Sequence, residues 1–387
     1  MDIETIQENV AALVAGWAPQ RSERMARRAL DPADFAALGK AGMTLTGVPV
    51  EFGGVWQDPA RSIRSIAALH RTIARIDPSL ALVTTMHPTV LTAWSMPPPA
   101  APRDPAAWDE QRARVLGHAR DGFWFGTISS EPGSGGDLAA TRTTARPGTA
   151  PDSKPDSNRG WLMTGDKHMG SGSGATAFMV SHAVPAGASE PDVFLLDMRG
   201  HALDGATGVR LVREWDGHGM MATQSHAFRF DDFPAERHAL RAGTLQQGAR
   251  FMPVSSFLFA GVIMGVLDAA QAEAKARLQP KAERMGAYER VAWTEAANRI
   301  WLADQAYEGM ARAIEASTPL PAVQHGKIAI AELAEAAMQA LSRAIGGSSF
   351  SRSNPFGQWS QDVRALGFLR PPWGLAHDRL FHATLDG

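Results

Sequence analysis

Over the first 120 or so residues, apolar positions recur at helical spacing. Ile6, Val10, Leu13 and Val14 line one face of an opening helix, and Asp31-Pro32 starts another that carries Phe35, Leu38 and Met43. Pro49–Gly54 reads as a loop. A longer helix follows with Ile63, Ile66, Leu69, Ile73 and Ile76 along one face, and Asp77-Pro78 restarts the chain into Leu80–Val83. The proline run Pro97–Pro105 breaks the helices and reads as surface. Between residues 121 and 232 the apolar runs become short and partly alternating: Phe123–Phe125, Ala177–Val180, Val193–Leu196 and Ala227–Phe230. Gly, Pro, Asp and Ser separate them, which predicts a small β-barrel or sandwich with a long loop at Arg146–Asn158. From about residue 250 helices return. Val254, Phe257, Leu258, Val262, Val266 and Ala269 share a face on which Gly261 and Gly265 permit close helix contact. Ala287–Glu315 forms a second helix, and Ile328, Leu333, Ala337, Leu341 and Ile345 mark a third that stops at Gly346-Gly347.

A chain of 387 residues is long for one domain and predicts two or three. A net charge of −2 makes no electrostatic case for nucleic acid or an anionic membrane. There is no cysteine, which excludes thiol catalysis, disulfides and cysteine-bound metals. The histidines are scattered without metal-ligand spacing. The N-terminus is acidic where a signal peptide is basic, and no apolar run reads as membrane-spanning, so a cytoplasmic protein is expected.

Two glycine-rich turns carry the candidate chemistry. In the first, the strand-like Phe123–Phe125 leads into Ser129–Asp137, where three glycines and three serines free the backbone to approach a ligand. In the second, Trp161–Lys167 leads into His168–Gly172. Together they resemble the flavin-cradling strands of the acyl-CoA dehydrogenase superfamily, T-E-P-G-x-G-S-D and then G-x-K-x-x-I-T. Pro49–Gly54 is similar to that family's P-x-E-[FY]-G-G, and Phe230–Glu236 to its F-D-D-V-x-V-P-A. Arg343–Pro355 with Asp362-Val363-Arg364 resembles Q-x-x-G-G-x-G-[FY]-x-x-x-x-P…R-D-A. The resemblance spans almost the whole chain. It implies an α+β fold: an all-α domain at 1–120, a central β-barrel or sandwich at 121–235, and a four-helix-bundle domain at 236–387.

The resemblance also implies FAD. Ile128, Ser129 and Ser130 fall on the strand beside the isoalloxazine ring, Ser130 keeping the hydroxyl of a threonine that faces flavin N5. Ser171 replaces the threonine of the second strand, and Met169 stands where a stacking aromatic is usual. Gly135 and Gly136 belong to the turn by the ring, Gly136 in place of a serine. Gly346 and Gly347 would let the main chain approach the FAD pyrophosphate of a neighbouring subunit, with Arg343 replacing a glutamine and adding a charged contact. A homodimer or homotetramer is implied.

The catalytic glutamate is another matter. Its commonest position falls on Arg370 and its alternative on Ser255, while the arginine that serves bound CoA falls on Ser256. Three readings follow, in order of expectation. The first is a dehydrogenase performing α,β-desaturation of an acyl thioester such as acyl-CoA, with a base moved to His87, Glu214 or Asp378 and an electron-transfer flavoprotein as acceptor. His87, lying in an apolar segment, reads first as a core residue. The second is a monooxygenase of the same fold that receives reduced flavin from a flavin reductase. The wording of Gly170–Gly174 is closer to that group, although Leu369 occupies its usual histidine position. The third is a degenerate, non-enzymatic subunit that completes a neighbour's FAD site or scaffolds a partner. Arg370 and His87 are the candidate catalytic side chains.

Overall fold

A computed structural model describes residues 1–98, 101–102, 104–148, 158–241, 243–317 and 320–385. Residues 99, 100 and 103 of the proline run, and 149–157 of the loop expected at 146–158, lie outside the described residues. Six helices come first: α1 (Ile3–Trp17), α2 (Arg21–Ala26), α3 (Pro32–Lys40), α4 (Pro59–Ala74), α5 (Pro78–Ser95) and α6 (Pro105–Arg120). Four of them begin in the same way. Asp31, Asp58, Asp77 and Asp104 each accept a hydrogen bond from a backbone N–H of the first turn, and a proline follows where no N–H is needed.

Seven strands follow: β1 (Phe125–Thr127), β2 (Thr144–Pro147), β3 (Trp161–Gly170), β4 (Phe178–Pro185), β5 (Asp192–Asp197), β6 (Val209–Arg213) and β7 (His226–Arg237). The pairings β4–β2–β3–β7–β5 return to β4, so five strands close a small circuit, with β1 added on β4 and β6 on β7. Closure leaves an inner apolar cluster that includes Trp161, Phe194, Phe228, Phe230 and Phe233. Then come three long helices, α7 (Gly243–Leu278), α8 (Ala287–Glu315) and α9 (Leu320–Ile345), and three short ones, α10 (Phe356–Asp362), α11 (Ala365–Phe368) and α12 (Trp373–Leu385). The fourth long helix of the expected bundle does not appear among the described residues. The 13-residue α12 packs on α9 instead, and α4 packs against both α7 and α8.

Gly265 of α7 faces the Arg71 carbonyl of α4 so closely that any side chain would collide with it. Around that contact Arg71 bonds Asp268 and Asp304, tying α4 to α7 and α8. Gly346 ends α9 at a φ of 86°, the left-handed stop expected there.

Two helices differ from simple amphipathic expectation. Within α7 lies a segment long and apolar enough to cross a membrane, which corrects the expectation that no run reaches that length; 78% of its apolar window is buried among other helices. Helix α5 is buried along its entire length because it packs on α4, α6, α7 and β1 and also lines the cavity described next.

Candidate functional site

A cavity of about 620 Å³ lies where the strand circuit meets α5, α7 and the C-terminal helices, within the size range of cofactor and small-molecule sites. One wall is apolar, from Leu82, Met86, Val90 and Ala93 of α5 and Phe251 and Phe259 of α7. The opposite wall is the turn after β1 with the end of β3, and the loop at 215–225 and residues 361–372 complete the chamber.

Ser129, Ser130, Gly135, Gly136, Met169 and Ser171 all line this cavity. The two turns meet because His168 N–H donates to the Ser130 carbonyl at 2.9 Å, pairing the first turn with β3. A register shift between Lys167 and Gly170 bulges β3 there and leaves Met169 half-exposed at a φ of 55°. Gly136, at a φ of 85°, lies where a Cβ would stand 2.9 Å from Pro372, so only glycine fits between turn and C-terminal segment. Ser171 is held by Ser225 at 2.9 Å, itself bonded to Thr223 at 2.8 Å. Ile128 is fully buried and packs behind the wall, against Gly170, without lining the cavity.

The remaining expected residues separate. Arg343, Gly346 and Gly347 are exposed and outside the cavity wall of this chain. Ser255 lines the cavity, while Ser256 is buried behind it. His87 is corrected from a catalytic candidate to a core residue. Its Nε2 donates to the Thr44 carbonyl at 2.8 Å, its Nδ1 accepts from Phe125 N–H at 3.2 Å, and burial pushes it down to about 4. Glu214 and Asp378 are exposed and also lie outside the cavity wall, which removes them as bases reaching a substrate there. Arg370 does line the cavity, its Nη2 donating to Ser130 Oγ at 2.7 Å.

Three groups escaped the sequence reading. Glu131 and Lys167, both almost fully buried, form an ion pair at 2.7 Å that locks the two turns together. Glu131 also accepts from the Arg142 and Thr143 N–H groups at 2.7 and 3.0 Å, and Lys167 donates to the His182 carbonyl at 2.6 Å. Burial pushes the Glu131 carboxyl up, but the bonds from Lys167 and Thr143 outweigh it and hold it below its ordinary value. Burial pushes Lys167 down to about 8 against the pull of that carboxylate. His182, on β4, lines the cavity at 3% exposure, with Nδ1 2.9 Å from Ser129 Oγ and no partner for Nε2. Burial, reinforced by the charges of Arg370 and Lys167, keeps it neutral. Lys327 of α9 donates to the carbonyls of Leu369 and Pro371 at 2.6 and 2.5 Å, on either side of Arg370. A titratable residue inside an otherwise apolar strand or helix was the available signal for His182 and Lys327.

No protein-family model matches the sequence, and no curated protein does; the likeness to known proteins is structural. A structure of KijD3 with FMN and dTDP-3-amino-2,3,6-trideoxy-4-keto-3-methyl-D-glucose superposes over 99% of this chain and 94% of that one, with a TM-score of 0.81 and 23% identity. A complex of TdsC from Paenibacillus sp. A11-2 with FMN and indole covers 98% and 97%, at a TM-score of 0.79 and 19% identity. Methanesulfinate monooxygenase MsuC from Pseudomonas fluorescens covers 98% and 96%, at 0.72 and 19%. This is the acyl-CoA dehydrogenase fold. Within the acyl-CoA dehydrogenase fold, the place that the resemblance assigns to a catalytic glutamate holds the Arg370 guanidinium. The cavity wall contains a single carboxylate among the described residues, Glu131, and its oxygens are taken by Lys167 and two N–H groups.

Proposed function

We propose that the protein is a flavin-dependent monooxygenase, supplied with reduced flavin by a separate flavin reductase and acting on a small organic substrate. The observation that carries this reading is the lack of a free carboxylate in the cavity wall among the described residues. Desaturation of an acyl thioester requires a base that takes the α-proton, and arginine stays protonated at any working pH. With His87, Glu214 and Asp378 outside the cavity wall, the desaturase reading loses each of its substitute bases. That KijD3 and TdsC are seen with FMN, and that MsuC and TdsC are named as monooxygenases, supports the same choice.

The residues present fit a flavin. Ser130, Gly135 and Gly136 line the cavity, where Ser130 would offer a hydroxyl to the ring and the two glycines would let the backbone come close. Met169 would pack sulfur and methylenes against the ring. Bound in reduced form, the cofactor would supply the electrons that activate dioxygen. The chain's own part is to position and to exclude water. The α5 and α7 side chains keep one wall dry, which strengthens every polar contact inside. His182, held neutral by burial and by the charges of Arg370 and Lys167, keeps its Nδ1 on Ser129 Oγ and so orients that hydroxyl at the cavity wall. We retain FAD as the cofactor, because Arg343, Gly346 and Gly347 are exposed and available to an adenosine half bound by a second copy. Mass analysis of the released flavin separates FAD from FMN.

The deciding experiment adds an acyl-CoA panel anaerobically to the flavin-loaded protein, and separately adds an NAD(P)H-driven flavin reductase with oxygen. The expected result is no bleaching by thioesters. Oxygen incorporation into an organic substrate should appear only with the reductase present. Rapid flavin bleaching by one thioester would overturn the reading in favour of a dehydrogenase.

A further inference from the structure

Arg370 has more hydrogen-bonding capacity than the protein uses. A guanidinium carries five N–H donors, and among the described residues the bond from Nη2 to Ser130 Oγ is its one side-chain bond. Nη1 is shielded from solvent and has no partner, and no carboxylate stands within ion-pair distance among the described residues. Charged groups taken from water are ordinarily paired, because an uncompensated one is costly. The rest of the wall sharpens the contrast. Glu131 is neutralised by Lys167, and Asp137, whose charge acts on Arg370, lies outside the cavity wall and forms no ion pair with it among the described residues.

The segment carrying Arg370 is also held in place. Lys327 donates to the carbonyls of the residues on both sides of it, and Pro372 packs against Gly136 of the flavin-side turn. A fixed guanidinium in the wall of a chamber with one apolar side, with bonding capacity beyond its contact with Ser130, matches an oxyanion on an organic body.

We propose that this cavity selects substrates bearing an oxyanion, a carboxylate or a sulfur oxyanion, and that Arg370 is the residue that anchors it. The apolar side chains of Leu82, Met86, Val90, Phe251 and Phe259 take the organic remainder. Lys327 acts as a positioning residue through the backbone of 369–371. The proposal rests on reading this cavity as the chamber shared by flavin and substrate.

Calorimetric titration of the purified protein, with and without flavin, using benzoate and its neutral isostere benzamide as probes, tests this. The native protein should bind benzoate at least tenfold more tightly than benzamide. Arg370→Gln should weaken benzoate by roughly 10–100-fold, the range of a charge-assisted bond, and leave benzamide within about twofold. Arg370→Lys keeps the charge, serves as the second variant should Arg370→Gln fold poorly, and should recover part of the benzoate preference. Lys327→Met should weaken benzoate less than Arg370→Gln does. Equal binding of the two probes by the native protein, or no binding of benzoate, overturns the proposal. So does an Arg370→Gln variant that loses flavin but keeps benzoate, since Arg370 would then serve the cofactor. A protein that takes up no flavin yet shows the Arg370-dependent preference refutes the monooxygenase reading alone and leaves the oxyanion site standing.

Discussion

Replacing Lys167 by Met separates two effects that the structure places at one atom. Lys167 Nζ bonds Glu131 and the His182 carbonyl, at 2.7 and 2.6 Å, with its side chain fully buried. The variant removes both bonds and leaves the Glu131 carboxylate, 3% exposed, with the two backbone N–H donors at residues 142 and 143. Breaking a buried pair from one side costs about 3–5 kcal/mol, because the other charge stays behind. That corresponds to roughly 10²–10⁴ in the opening equilibrium of this turn. Glu131→Gln in the same background removes the stranded charge and should restore a large part of the loss. Hydrogen exchange at the Arg142 and Thr143 amides reads the effect locally, and urea unfolding followed by circular dichroism reads it across the fold. A Lys167→Met loss below about 1 kcal/mol, or a double variant no better than the sum of the two singles, would refute the clamp.

Two other outcomes follow from buried or open positions. Burial pushes the Asp362 carboxyl up to about 7, and the bond it accepts from Met220 N–H at 2.6 Å does not offset that. Native Asp362 therefore binds its proton more tightly than the unfolded chain does. Its contribution to stability falls as pH rises from about 4 to about 7 and stays at that lower level above. Asp362→Asn should accordingly gain melting temperature relative to the native protein between pH 5 and pH 8, and a constant difference across that range would refute the assignment. Gly347 has open space around it in this chain, so Gly347→Val should leave the isolated fold intact. If a second copy's FAD rests there, the variant should lose flavin occupancy and subunit association together; unchanged occupancy by flavin absorbance would remove the shared-site expectation.

Much of the local structure was legible. Asp31-Pro32 and Asp77-Pro78 declared helix starts because an aspartate can accept from N–H groups of the first turn, where a proline has no N–H to satisfy. The glycine–serine turn at 129–137 and the stop at Gly346 were readable because left-handed backbone favours glycine. Helices, then short strands, then helices again appeared in the right order because periodicity is a property of neighbouring residues. The same locality explains the misses. His87, for one, could be settled only by seeing both of its nitrogens engaged.

The site itself depended on contacts across long stretches of chain. Ser130 and Arg370 are 240 residues apart in sequence yet share a hydrogen bond, and Lys167 meets Glu131 across 36 residues. A sequence can show that the expected glutamate position holds an arginine. It cannot show whether a counter-charge reaches that arginine from elsewhere, because charge balance in a cavity is summed over every element that surrounds it. The order of the elements and the placing of the turns were thus set by residues acting on their own neighbours. The cavity, its missing free carboxylate and its unspent guanidinium donors were decided by packing, which alone determines what each buried polar group can reach.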